Sequence, residues 1–338
     1  MRNLLIILVA FVMIFQSSCS NEVDINAPWE EVLVVFGLLN KDESTHYVRI
    51  SKAYLGEGDA LQFATVYDSL YLSPNALDVT IDEVLGGQIT RTFTLEADTT
   101  IAKEPGIFSN PSQVLYKFQT PQGQGLNPAG EYKLRVKNNQ SGNEVSSETN
   151  MVGSIILSQP GAFLTEIGMF PQATTNVKIK SALNGKLYEI FIYFKYREYF
   201  ENNPSDVVEK QIEINLGRIS RENGNSGEEF TNTVVNQVIY QTLANNMSTY
   251  TATNPVVRLA DSLKFVVNVG SESLETYLSV NQPSNTLAQE RPVFSNIENG
   301  IGLFSSRTSF TRAYYLNDAT VDSLRNNFVT ENLNFQSR

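Results

Sequence analysis

The sequence predicts a mostly β chain in two parts, a β-sandwich over residues 29–152 and an α+β unit with a largely antiparallel sheet over 153–338. Three observations predict it. Strand-length apolar or alternating runs follow one another through the first half, separated by clusters of Gly, Asn, Asp and Ser. A Pro-Ala-Gly corner leads into an alternating run with Tyr132 at its start. Beyond Gly153, long alternating runs give way to segments with helical spacing, an order that suits helices laid on one face of a sheet.

In the first half, Val32 to Leu39 (VLVVFGLL) is a continuous apolar strand, and His46 to Leu55 alternates after the turn NKDES, so the two form a hairpin. His46 opens the second strand, where an exposed or hydrogen-bonded ring is expected. VTIDEV and QITRTFTL flank Gly86 and Gly87, which supply the positive φ values of a tight two-residue turn. VLYKFQTP adds a strand stopped by Pro121. The segment LNPAGEYKLRVKN resembles the tyrosine corner of immunoglobulin-like and fibronectin type III sandwiches, with Tyr132 as the corner residue whose hydroxyl returns to the preceding backbone. EVSSETNMV closes this part.

In the second half, LYEIFIYFKYREY places Tyr188, Ile190, Ile192, Phe194 and Tyr196 on one face and Glu189, Lys195 and Arg197 on the other. The aromatic face could be a ligand platform, but charge on the opposite face favours core packing. VVEKQIEINLG pairs with it. Ser226 and Glu229 read as a capping box for a helix bearing Phe230, Val234, Val235, Val238, Ile239 and Thr242. LKFVVNVG is a buried strand, Gly270 and Ser271 open a second helix striped with Leu274, Tyr277 and Leu278, and TVDSLRNNF is a short helical segment. Gly300 and Gly302 lack the Lys-Ser or Lys-Thr of a phosphate loop and read as a turn entering the strand GLF.

Residues 1–18 read as a secretory signal. Leu4 to Phe15 is apolar behind Arg2, and the run is shorter than the roughly 20 residues that span a bilayer. Ser17, Ser18 and Cys19, the only cysteine in the chain, resemble a bacterial lipobox, with Gln16 as the relaxed position seen in the Bacteroidota. The resemblance implies lipidation of Cys19. A lone thiol has no disulfide partner within the chain, and acyl chains add about 0.8 kcal/mol of membrane affinity per buried methylene. Residues 19–28 form an acidic, proline-closed leash.

A net charge of −11 argues against nucleic-acid partners, and one histidine leaves little for zinc hydrolysis, a Ser-His-Asp triad or thiol catalysis once Cys19 is committed. No catalytic residue, metal site or cofactor is expected. Glu228 and Glu229 are the carboxylate pair a glycan hydrolase would offer, though they are better explained as partners of a helix start.

Together with the lipobox, VLVVFGLLNKDESTHYVRISKAYLGEG and VFSNIENGIGLF resemble an uncharacterised lipoprotein family of the Bacteroidota, a domain of unknown function often encoded beside TonB-dependent receptors. That resemblance implies an outer-membrane, lipid-anchored binding module that passes a small-molecule or glycan ligand to such a receptor. A structural or adhesion role in the envelope is the alternative. Envelope proteins of the same phylum carry O-glycans at Asp-Ser/Thr motifs, and the resemblance implies acceptors among Ser69, Thr99, Ser262 and Ser323.

Overall fold

The computed structural model describes residues 32–53, 66–104, 113–281 and 293–337. The expected signal, Cys19 and the leash lie outside these residues. Strands dominate a mixed α+β fold with two sheets, mostly antiparallel.

The strands of the first half are β1 (Leu33–Leu39), β2 (Thr45–Lys52), β3 (Leu77–Leu85), β4 (Gln88–Asp98), β5 (Leu115–Gln119), β6 (Glu131–Asn138) and β7 (Glu144–Asn150), with a short helix α1 (Tyr67–Leu70) before β3. Then come β8 (Ile156–Gln159), β9 (Glu166–Ile167), β10 (Thr174–Lys180), β11 (Leu187–Phe200), β12 (Asn203–Ser220) and β13 (Glu229–Val235). Helix α2 (Asn236–Asn246), β14 (Val256–Gly270), α3 (Glu272–Val280), β15 (Ile301–Leu316) and α4 (Asp318–Asn326) complete the order. The large sheet runs β12-β11-β14-β15-β1-β2-β5-β4-β3-β6-β7, with β9 beside β15, and β13-β10-β8 form a separate small sheet.

Turn chemistry accounts for the hairpins. Gly86 and Gly87 have φ of 57° and 79°, the paired positive values that let β3 return directly as β4. The turn NKDES joins β1 to β2 in antiparallel register, Val35 facing Ile50. β1 is also paired on its other side, where Val34 to Leu39 run parallel to Ile301 to Ser306 of β15, and its second face is half-buried, with Phe36 against Tyr277 of α3, which accounts for an apolar sequence on both faces.

β15 is therefore shared. Its first residues pair with β1, and its later residues, Arg307 to Tyr315, pair antiparallel with β14. Phe304 enters one hydrophobic cluster with Val35, Val48, Ile81, Tyr116 and Leu134, whereas Tyr314 and Leu316 enter another with Ile190, Phe194, Phe265, Ile239 and Leu324. Where the strand passes between them its side chains are small and polar. Ser306 donates to the Asn150 carbonyl at 2.6 Å and accepts from the Val152 amide at 3.0 Å, while Ser305 and Ser271 share a bond of 2.6 Å.

The aromatic face of β11 is core: Tyr188, Ile190, Ile192 and Phe194 are fully buried under β8, β10 and α2. Behind it, Arg258 is 1% exposed and fully partnered. Its Nε donates to Glu198 at 2.8 Å and its Nη1 to the carbonyls of Ser248 and Leu333, each at 2.8 Å, which fastens the C-terminal segment to β14. Burial alone would raise the Glu198 carboxyl, but Lys210 and Arg258 hold it below its ordinary range.

One expected helix begins later than its sequence suggests. Glu229 to Val235 is β13, paired with β10 from Lys180 to Thr174, and the helix starts only at Asn236. Phe230 and Val234 are four apart, a spacing that fits both a helix and a strand, and Thr231, Thr233, Val234 and Val235 are β-branched. The buried stripe of α2 is Asn236, Ile239, Tyr240 and Leu243, so Val238 faces solvent. Glu229 is not a capping residue; it pairs with Lys178 at 2.9 Å.

Gly302 has φ of 127°, and a Cβ there would lie 2.0 Å from the Val35 carbonyl oxygen. Gly302→Val is expected to destabilise the chain by about 3 kcal/mol or more, because no side-chain movement relieves a clash with backbone. Urea unfolding of the variant measures this, and an unchanged midpoint would contradict the role of the β1–β15 pairing.

Candidate functional site: a groove over a β-bulge

Strands β12, β11, β14 and β15 turn one face to the core and the other to solvent. On the outer face, residues Gln211, Lys195, Ser262 and Tyr315 form one cross-strand row. The row is followed by a bulge. Lys195 lies opposite Ser262 and Tyr196 opposite Ala260, which leaves Asp261 as an extra residue in β14. A bulge bends its strand and increases local twist. Here the sheet is hollowed into a groove of about 710 Å³ lined by Lys195, Arg197, Glu209, Lys210, Asp261 and Tyr315, among others.

The charges in the groove are unevenly satisfied. Lys210 is bonded to Glu198, and Asp261 accepts from the Ser262 hydroxyl at 2.8 Å. Arg197 stands directly across from Glu209 in the ladder, yet no ion pair joins them. The Tyr315 side chain is 57% exposed. Such an arrangement offers cations, hydroxyl-accepting carboxylates and an aromatic ring to a ligand from solution. Among the described residues no group of three His, Cys, Asp or Glu is placed to hold a metal ion, and no helix is long and apolar enough to cross a membrane.

A second hollow, of about 630 Å³, lies where the two halves meet and is lined by Glu131, Glu148 and Glu272, with Lys186. Lys133 bridges Glu131 and Glu148, at 3.4 and 3.1 Å, and the Lys186 amine is bonded to the Glu222 carbonyl, so its cations are already engaged.

The residues singled out in the sequence are scattered. Thr99 is exposed just after β4, Ser69 is half-buried in α1, Ser323 is half-buried on α4 and accepts from the Tyr240 hydroxyl at 2.9 Å, and Ser262 is 5% exposed in the row beside the groove. Glu228 is bonded to Arg221 and lies apart from the groove. His46 is neither exposed nor hydrogen-bonded: it is 1% exposed, stacks on Phe118 at 4.7 Å, and both ring nitrogens lack a hydrogen-bond partner. β2 directs it inward because its register with β5 places it opposite Phe118.

Tyr132 is completely buried at the start of β6. Its hydroxyl lies 3.2 Å from the carbonyl of Asn127, five residues upstream, and donates to Glu83 at 2.6 Å. Glu83 is the acceptor at the centre of this corner. Burial would raise its carboxyl, but Arg91, the Tyr132 hydroxyl, the Asn127 amide and the Thr90 hydroxyl together bring it down to about 2. Asp98, at the end of β4, is likewise held well below the usual range by Lys117 and Thr100.

Of the groove residues, Lys195 and Arg197 were visible in the sequence only as the charged side of an alternating strand. Tyr315, Glu209 and the bulge at Asp261 were missed. The available signal was Asp261-Ser262 interrupting the strand LADSLKFVV, since Asp is depleted in strand interiors.

No family model and no curated protein sequence matches the chain. Among solved structures, alignments reach trypsin-activated alpha-2-macroglobulin from Escherichia coli with a TM-score of 0.19 and 12% identity, over 87% of this chain and 16% of that one. The same protein activated by porcine elastase gives 0.19 and 10%, over 86% and 20%. The C-terminal globular domain of an oligosaccharyltransferase from Pyrococcus abyssi gives 0.21 and 9%, over 85% and 49%. The chain spans less than half the length of each, and scores this low carry no information about shared fold or function.

Two stability predictions follow from the buried polar groups. Tyr132→Phe removes a donor from a buried carboxylate and is expected to cost about 1–3 kcal/mol. Because Glu83 titrates lower in the folded chain, its contribution is present above the unfolded carboxylate range and lost as pH falls toward 2. The variant should therefore show an acid unfolding midpoint at higher pH, read by circular dichroism. For His46 the sign is the same but the favoured form is the neutral one: burial lowers its pKa from 6.5, with Glu43 opposing, so here too the unfolded chain takes up the proton first. Stability is then expected to fall as pH drops below 6.5, and His46→Phe should flatten urea midpoints between about pH 7 and 5.

Proposed function

We propose that the chain is a lipid-anchored envelope protein, held to the outer membrane through Cys19, that acts as a non-catalytic binding module accessory to a TonB-dependent transporter. The observation that carries this reading is the placement of the groove relative to the start of the folded body. The chain emerging from Cys19 enters the fold at β1, whose first residues lie beside the beginning of β15. The groove is lined by Ala313, Tyr314 and Tyr315 at the other end of that strand. A strand rises about 3.3 Å per residue, so the two points are roughly 40 Å apart along β15. A tether at one end and a ligand-facing hollow at the other suit a protein that presents its site away from the bilayer.

We further read β1–β7 with the first part of β15 as an immunoglobulin-like sandwich. Support comes from the single hydrophobic cluster these strands share and from the backbone bridge between Ser146 of β7 and Glu298, just before β15, at 2.8 and 3.3 Å.

Cys19→Ser is expected to move the protein from the outer-membrane fraction to the soluble fraction, and intact mass of the natively expressed chain should show acyl groups on Cys19. Affinity capture from detergent-solubilised membranes should bring down a TonB-dependent receptor. An unmodified Cys19, with the protein free in the periplasm, would overturn the reading.

A further inference from the structure

We propose that the groove over the Asp261 bulge binds acidic saccharides, that is, sugars bearing a carboxylate or a sulfate; this rests on reading the chain as a binding module and names the ligand class of that site. The chain carries a net charge of −11, so its long-range field repels anions and only local cations can hold one. In the second half most basic side chains are engaged: Arg218 with Glu189, Arg221 with Glu228, Lys178 with Glu229, and Lys210 and Arg258 with Glu198. Lys195 and Arg197 are different. Among the described residues neither has an ion pair or a hydrogen bond, and both line the groove.

Their placement is set by the strand. Two residues apart on β11, they share its outer face with Cα atoms about 7 Å apart. Lys195 faces neutral neighbours on both sides, Gln211 and Ser262, so nothing in the ladder competes for its charge. Arg197 sits opposite Glu209 without pairing to it, and its planar fork is suited to a carboxylate or sulfate.

The remaining lining favours a sugar over an acidic peptide. The Tyr315 side chain, 57% exposed at the row's end, offers an aromatic plate to the apolar face of a pyranose. Glu209 and Asp261 are acceptors for ring hydroxyls, which a saccharide supplies and a polyglutamate does not. The same two carboxylates repel a ligand charged at every unit. One or two anions within a field of hydroxyls is the pattern that matches both signs of charge in the groove.

The test uses the full-length lipoprotein in detergent, titrated calorimetrically with 3′-sialyllactose, which carries one carboxylate, lactose 3′-sulfate, which carries one sulfate, neutral lactose and tetraglutamate. Binding of either acidic saccharide is expected, with the preferred one identifying carboxylate or sulfate as the anion. Lys195→Ala and Arg197→Ala should each weaken it about tenfold. Tyr315→Ala should weaken it as well, and Glu209→Gln is expected to tighten affinity for both acidic saccharides. All four positions are on the solvent face, so thermal unfolding of each variant should match the parent. Equal binding of lactose, tighter binding of tetraglutamate, no binding of any probe, or saccharide binding indifferent to Lys195 and Arg197 would each overturn the proposal. Capture of a receptor from membranes by the Lys195→Ala/Arg197→Ala protein separates the two readings, since it persists if only the ligand class is wrong and is absent from every variant and the parent if the module reading is wrong.

Discussion

The parallel pairing of β1 with the first part of β15 is the constraint on which the rest of the structure depends. It joins residues 34–39 to residues 301–306, nearly the full length of the chain apart, and turns what would be two separate sheets into one. Three local features make it feasible. Gly302 lets the backbones approach where any Cβ would collide with Val35. Gly37 leaves room for the Phe304 ring, since a Cβ there would lie 3.0 Å from it. Ser305 and Ser306 then satisfy backbone and hydroxyl groups at the crossing, so the strand leaves one core and enters the other without stranding a buried polar atom.

Much of the architecture was legible because side-chain periodicity records which faces are buried. Alternation in Leu187 to Tyr199 identified both the strand and its inward face, and the two glycines at 86 and 87 marked their hairpin. Tyr132 was readable from the corner preceding it, but its partner Glu83, 49 residues upstream, was not, because no local pattern links an acid in one strand to a phenol in another. Helix α2 was misplaced at its start since residues four apart satisfy both periods. The course of β15 was hidden for a different reason. Its sequence alternates only in its second half, and a parallel partner 260 or more residues away leaves no trace in spacing.

The groove was the least legible feature because its shape comes from a single extra residue in β14. Without Asp261 the β11–β14 ladder would continue in register, and Lys195 and Arg197 would be ordinary charges on an exposed sheet. With it, strand curvature gathers residues from four strands around one hollow. Electrostatics then depends on what the ladder does not pair. Buried charges elsewhere are closed within the fold, as at Arg258 and Glu198, and serve to hold segments together. Lys195 and Arg197, on the outer face of β11, keep their fields directed at solvent.

The shared strand also determines how the molecule would bear force. Because β1 and β15 run the same way, pulling on the chain entering β1 while holding the far end of β15 slides one strand along the other. Hydrogen bonds of a ladder loaded lengthwise stretch together, whereas those at a peeled edge fail in succession. From the start of β1 to the far end of β15 the two strands are thus joined like a lap joint, loaded along its length by tension.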